Sequence, residues 1–312
     1  MPFFGISFGI TGNILSFLIT TKTENRAIST CVFMTALSVV DTGVLTTALL
    51  YRLLTSHGLG AHLKDRFTVN LIMWYVSYTS SQSSGLFLAA MTLDRACAVL
   101  FPLKAKTLCT AARARKTVLI LFLIPAVFNI NMFFTYIPYF KGTNMESAIL
   151  DFPERPWVEI MVGAYNLAIG TIVPISVIIT CNILIITNVR RSSKTRSKMA
   201  IEQADMEKGK TNDRQLTRML ILVSIAYICS SLPLRTYELL LTIPDVVRRY
   251  KMDELYWRLR YNVEFWFVAE LFHLNYAVNF YLYILGGGKK YRNSVREVFR
   301  LCGKCEGLKG KN

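Results

Sequence analysis

Residues 67–93 read FTVNLIMWYVSYTSSQSSGLFLAAMTL, 27 positions without one Asp, Glu, Lys or Arg, and the run is closed by Asp94 and Arg95. As a helix rising about 1.5 Å per residue it is roughly 40 Å long, more than the roughly 30 Å hydrocarbon core of a bilayer. Six other stretches share this character: Met1 to Thr21, Ala27 to Val40, Thr117 to Phe140, Ile160 to Val189, Met219 to Leu234 and Leu271 to Gly288. The second, sixth and seventh reach spanning length only by taking in Asp41, by carrying Arg235 and Glu238, and by carrying Glu270. No segment alternates with period two as a membrane barrel strand would, so the spans read as helices, whose backbone groups are satisfied internally. Composition agrees, with 53% hydrophobic and 18% charged residues and a mean hydropathy of +0.37, against about 25% charged for soluble domains. The chain thus reads as an all-α membrane protein, a seven-transmembrane helix bundle forming a single domain over residues 1–312, with spans at about 2–21, 28–54, 67–98, 116–138, 158–189, 214–242 and 263–285.

The distribution of cations orients the bundle. Of the 36 Lys and Arg, 24 fall in the first, third and fifth connections and the tail, and nine in the other connections; Arg52, Arg95 and Arg235 lie within spans. The amino terminus is therefore expected outside and the carboxyl terminus in the cytosol of a multi-pass plasma-membrane protein. The net charge of +16 is then a topology signal with some attraction for anionic lipid, and no nucleic-acid partner is expected. Trp74, Trp157, Trp257 and Trp266 fall near the predicted outer boundary, where interfacial tryptophan is common. The start of the chain has no basic region and no small-residue cleavage site before Asn25, so a retained helix is expected in place of a signal peptide.

None of the seven cysteines lies in an outer connection, so no extracellular disulfide is expected. Gly286 to Gly288 end the last span, as glycine commonly does. Beyond them, at about 289–301, Tyr291, Val295, Val298, Phe299 and Cys302 recur at helical spacing opposite Lys289, Arg292, Arg296 and Arg300. That pattern predicts a short amphipathic eighth helix on the inner leaflet. Cys302 and Cys305 follow it and suit palmitoylation, with unmodified thiols the alternative; a structural zinc would need about four ligands.

A charge at the centre of a span costs roughly 2.5 to 3.5 kcal/mol on insertion scales, so each one is a candidate functional group. Asp41 stands mid-span, Asp94 and Arg95 close the third span, and Arg235, Glu238 and Glu270 occupy outer halves. Taken alone, Asp94 and Arg95 also fit plain interface charge.

Several of these residues fall into an ordered set. Gly12-Asn13 in the first span, Leu37 to Asp41 in the second, Asp94-Arg95-Ala96 with Pro102 after the third, Pro174 in the fifth, Pro233 in the sixth and Asn279-Phe280-Tyr281-Leu282-Tyr283 in the seventh resemble the signatures of rhodopsin-like (class A) G-protein-coupled receptors. The inner string FPLKAKTLCTAARARK is similar to that of invertebrate peptide receptors of the FMRFamide group. The resemblance implies a receptor that transduces binding of an extracellular ligand, a neuropeptide by this likeness, to heterotrimeric G proteins by outward movement of the sixth helix. It implies that Pro233 is the pivot, that Arg95 is the floor of the cytoplasmic cleft and is held by Asp94 in the inactive state, and that Pro102 and Leu103 meet the G protein with Asn279 and Tyr283 part of the switch. It also implies that Asp41, Asn13, Ser84, Asn275 and Asn279 surround a structural sodium ion, for which oxygen ligands are suited. A water-linked network around a protonated Asp41 is the alternative, and no other cofactor is expected.

Departures from the pattern are Ala96 for the tyrosine after the arginine, Asn182 for the fifth-span tyrosine, Ser230-Ser231-Leu232-Pro233 for Cys-Trp-X-Pro, and Asn70 near the position of the usual cysteine. Ser77 occupies the aspartate position of amine receptors and His273 the lysine position of opsins, so neither amines nor retinal are expected. The inferred ligand wall comprises Ser77, Tyr78, Gln82, Arg235, Glu238, Glu270 and His273, mixed in charge and suited to a peptide or another polar ligand; pairing of Arg235 with Glu270 is the alternative. Three histidines and the absence of a phosphate loop or nucleophile elbow argue against an enzyme. A transporter or channel, with the intramembrane charges lining a path, is the rival class, although the two halves show no inverted repeat.

Overall fold

In the computed structural model the described residues are 2–22, 26–56, 66–133, 156–197, 206–242, 254–286, 293 and 295–297. The first, second and third spans are Pro2–Thr20, Ser29–Ser56 and Arg66–Leu100, and the fourth begins at Ala111–Asn129 after a short helix, Pro102–Leu108. The fifth runs as Pro156–Leu167, a π-helical turn at Ala168–Ile172 and Val173–Ser197; the sixth is Met206–Thr242 and the seventh Glu254–Gly286. Among the described residues the one isolated β-bridge joins Ile28 to Thr110, tying the first inner connection to the second.

The fourth span starts several residues earlier than its apolar run. The Thr110 side chain accepts from the Arg113 backbone N–H at 3.3 Å, capping a free amide of the first turn and drawing Arg113, Arg115 and Lys116 into the helix.

The third span sits at the centre, packed on the second, fourth and fifth, while the first packs on the second and seventh and the sixth on the seventh. The main core joins Phe33, Leu37, Phe87, Met91, Met219 and Tyr227. Outward-facing apolar residues such as Phe4, Leu119 and Val127 are exposed, which in a lipid solvent is no penalty. Several hydroxyls within the spans bond back to their own helix, as in Thr42 to the Ser38 carbonyl (2.7 Å) and Ser224 to that of Leu220 (2.7 Å), which satisfies those donors without a cross-helix partner. Gly9 allows the first and seventh helices to approach: a Cβ there would stand 2.6 Å from that of Ala277.

Among the described residues, the helical stretches at 29–54, 68–100, 111–133, 163–190 and 218–236 are long and apolar enough to cross a membrane, and Phe4–Thr20 is a shorter apolar helix. Of the expected amphipathic helix, residues 293 and 295–297 are helical, and Glu297 pairs with Lys22 at 2.7 Å. Cys302 and Cys305 lie outside the described residues.

Candidate functional site

Asp41 is fully buried, and its two oxygens are held from two other helices. Ser84 Oγ of the third span donates to Oδ1 at 2.6 Å, and Asn279 Nδ2 of the seventh donates to Oδ2 at 2.7 Å. One carboxyl group thus ties the second, third and seventh spans together through two short bonds. Asn275 is buried one turn above Asn279, on the same helix face. Asn13 is drawn elsewhere, donating from Nδ2 to the Tyr276 carbonyl at 3.1 Å. The Asn279 Oδ1 is buried without a hydrogen-bond partner, so the cluster holds an acceptor beyond what its described donors use.

At the inner end the expected Asp94–Arg95 latch is replaced by two separate contacts. Asp94 accepts from Ser29 Oγ at 2.8 Å, whereas Arg95 donates to Thr30 Oγ1 from Nε at 2.9 Å and from a terminal nitrogen. Consecutive residues on a helix point in different directions, so each side chain meets its own neighbour on the second span. The Cys109 thiol donates to the Asp94 carbonyl at 3.3 Å; burial, and after it the nearby Asp94 carboxylate, pushes this thiol up to about 11. Pro102 opens the short helix below, with Leu103 88% exposed beside it. Tyr283 is buried in the main core beside Met219 and Val223.

In the outer half, a buried polar layer crosses four helices. Gln82 donates to Asn166 Oδ1 at 2.6 Å and accepts from Asn129 at 3.1 Å, while Asn129 also donates to Thr79 at 3.1 Å. Gln82 is therefore locked between the fourth and fifth spans. Arg235 is buried, donates to Ser81 at 3.2 Å and lies over the Tyr78 and Phe272 rings at 5.7 and 5.1 Å. Its alternative partner is otherwise engaged: Glu270 pairs with Arg52, a residue to which the sequence assigned no role. Glu270 and His273 line a cavity of about 320 Å³ between the first and seventh spans, with Ile6 and Leu45. Ser77 is half-buried, and the side chain of Glu238 lies outside the described residues.

A further contact escaped the sequence. Pro174 has no N–H, so the Gly170 carbonyl four residues earlier loses its α-helical donor. The chain widens there into the Ala168–Ile172 π turn, and the Tyr227 hydroxyl of the sixth span donates to the Gly170 carbonyl at 2.8 Å. The phenol tip occupies the space beside Gly85, where a Cβ would overlap its oxygen and lie 3.1 Å from its Cζ. Nothing in the sequence links a tyrosine at 227 to a glycine at 85; only the fold brings them together.

Comparison with known proteins agrees with this geometry. The family model described as 7 transmembrane receptor (rhodopsin family) matches residues 12–279. The FMRFamide peptide receptor frpr-18 of Caenorhabditis elegans is 28% identical over 242 residues, covering 72% of this chain and 52% of the relative. Thyrotropin-releasing hormone receptors are also similar: that of Gallus gallus is 29% identical over 142 residues (45% of this chain, 35% of its own), and that of Homo sapiens 29% over 126 (40% and 31%). The chain thus spans about half the length, or less, of the curated relatives it matches. The matched family consists of receptors and not enzymes, and its span runs from the first-helix Gly12 to the seventh-helix Asn279 through Asp41 and Arg95. The chain belongs to the rhodopsin family of seven-transmembrane receptors.

Proposed function

We propose that this multi-pass membrane protein is a receptor of the plasma membrane that binds an extracellular peptide and passes the event to a heterotrimeric G protein. The amino terminus faces outside and the carboxyl terminus the cytosol, a reading supported by the excess of Lys and Arg in the odd connections and tail. The peptide meets Ser77, Tyr78, Arg235, Glu238, Glu270 and His273 above the Gln82 layer. One receptor of similar sequence is named for the FMRFamide peptide and others for thyrotropin-releasing hormone; the first supports that ligand class.

The observation that carries the reading is the position of Arg95 at the inner end of the central helix, held by the neutral hydroxyl of Thr30. A hydrogen bond to a neutral acceptor is weaker than an ion pair at equal burial, so the guanidinium can leave Thr30 of the second span at low cost once the cytoplasmic end of the sixth span has opened. Pro233 supplies the bend about which that end swings, and Asp94, Pro102, Leu103, Asn279 and Tyr283 surround the cleft or its hinge.

Sodium binding at Asp41 belongs to the same proposal. Asp41, Ser84, Asn275 and Asn279 would hold the ion, and the fit is supported by the partnerless Asn279 Oδ1 and the fully buried Asp41. A bound cation would supply the counter-charge that an isolated carboxylate at this depth needs.

Ligand-stimulated nucleotide exchange on membranes from cells expressing the chain, screened with a peptide library, tests the receptor reading. Arg95→Ala is expected to abolish exchange with peptide binding retained, and Thr30→Val to raise exchange without peptide. Full signalling by Arg95→Ala refutes the assignment of the cleft floor.

A further inference from the structure

A cavity of about 740 Å³ opens on the lipid-facing side between the first, second and fourth spans. Its walls are apolar: Val39 and Val40 from the second span, Phe87 from the third, and Leu119 and Phe122 from the fourth. Val39 and Leu119 are 55% and 59% exposed, so an occupant would touch them directly. The hydroxyl of Thr35 on this wall is already engaged, its single hydrogen facing the Cys31 carbonyl and Thr20 Oγ1, each 2.8 Å from its oxygen. A polar ligand would therefore find no donor there, while hydrocarbon loses nothing.

The inner end is of opposite character. Arg26 and Arg115 line the mouth; Arg26 spends its Nε on the Thr21 carbonyl at 2.7 Å, which leaves its terminal nitrogens directed to other acceptors. The two ion pairs of the described residues, Lys22–Glu297 and Arg52–Glu270, use neither arginine. The first turn of the fourth span contains no acidic residue, so the positive end of its helix dipole adds to the same field. Arg115 and Phe122 are seven residues apart, which is about 10 Å of helix, and the groove thus leads from a cationic mouth into the hydrocarbon.

We propose that this groove binds an anionic phospholipid of the inner leaflet, with its phosphate between Arg26 and Arg115 and an acyl chain along Val39, Val40, Phe87, Leu119 and Phe122. Guanidinium forks match phosphate oxygens, basic residues at this level attract anionic headgroups, and the dry wall selects a chain over a soluble phosphate. Phe87 and Val40 lie within one turn of Ser84 and Asp41, so the lipid packs against the outer side of the helices that form the buried carboxylate cluster. The proposal takes its leaflet from the orientation given above; the test uses lipid on both sides, so its result does not depend on that orientation.

The full chain is purified in mixed micelles with equal phosphatidylserine and phosphatidylcholine of the same acyl chains, and retained lipid is counted by native mass spectrometry. The unmodified protein is expected to retain phosphatidylserine preferentially. Arg26→Gln with Arg115→Gln is expected to lower that preference by on the order of tenfold, whereas Arg113→Gln with Lys116→Gln, outside the lining, leaves more of it. Val39→Trp or Leu119→Trp, at exposed wall positions that leave the core untouched, is expected to fill the groove and reduce retention of both lipids. An unchanged phosphatidylserine preference in the double arginine variant overturns the headgroup site. Full retention in both tryptophan variants, or complete displacement by millimolar inorganic phosphate, shows a phosphate site without a chain groove and overturns the lipid assignment.

Discussion

Tyr227→Phe removes one oxygen, and with it the 2.8 Å bond to the Gly170 carbonyl, while the ring keeps its place in the core. In soluble proteins a buried acceptor left without its donor costs about 1–3 kcal/mol. Within bilayers, double-mutant cycles average about 0.6 and reach about 1.7 kcal/mol, because the unfolded chain in lipid also finds partners. The expected loss is therefore about 1 kcal/mol. Gly85→Ala supplies the second arm. Alanine gains about 0.8–1 kcal/mol over glycine in a helix, but its Cβ overlaps the Tyr227 hydroxyl, and overpacking of that kind costs typically about 1–3 kcal/mol. With phenylalanine at 227 the overlap with oxygen disappears, and the tightest remaining neighbours are the ring Cζ at 3.1 Å and Pro174 Cγ at 3.4 Å. The two changes should then be coupled by about 1–2 kcal/mol, the double variant being more stable than the sum of the single ones. Thermal unfolding of the four purified forms in one detergent reads the cycle. Additivity within about 0.5 kcal/mol, the usual behaviour of independent sites, would refute the contact between hydroxyl and glycine.

Three other outcomes are open to measurement. Asp41→Asn is expected to remove any effect of sodium on agonist affinity, and a sodium effect of unchanged size in that variant rules out the ion site. Glu270→Gln should destabilise the protein in the same melting assay, because it removes the carboxylate that pairs with an Arg52 side chain only 7% exposed; an unchanged melt in that variant contradicts a stabilising role for the pair. The Cys109 thiol, raised to about 11 mainly by burial and then by Asp94, stays protonated at neutral pH, so maleimide labelling should be slow and should speed up as pH rises. Asp94→Asn removes a charge that opposes the thiolate and is expected to accelerate labelling at pH 8, and a slower rate would reverse the electrostatic assignment.

The bundle was legible because lipid imposes one rule on every span: the backbone must satisfy itself and the side chains must be apolar. The same rule marked Asp41 and Arg95, since a charge at depth requires a reason. Partners were harder to read. The Asp94–Arg95 latch looked natural in a linear string, yet adjacent helical residues diverge by about 100°, and each found a hydroxyl on the second span instead. Glu270 likewise joined Arg52 and not Arg235, because cross-helix pairing depends on the rotation of each helix about its axis, which no single stretch of sequence records. The lipid-facing groove was invisible for a related reason, being made of ordinary apolar positions, of which Val39, Leu119 and Phe122 are exposed while Val40 and Phe87 belong to the core.

The departures from the family pattern also take on sense only in combination. Serine at 230 and 231 leaves the sixth span without an aromatic residue just before Pro233, and Tyr227 stands a turn deeper. Its hydroxyl needs both a hole and an acceptor. The hole is the missing Cβ of Gly85, and the acceptor is a carbonyl released by Pro174 and turned outward by the π turn. Tyr227 is six residues, about 9 Å, before Pro233, within the arm that swings in the proposed opening. A movement of that arm must therefore break or carry along the bond to Gly170. Because one such bond in lipid is worth about 1 kcal/mol, it would oppose the proposed opening by only a small margin. The tyrosine thus ties the fifth and sixth spans together one turn away from the position where the usual aromatic side chain is absent.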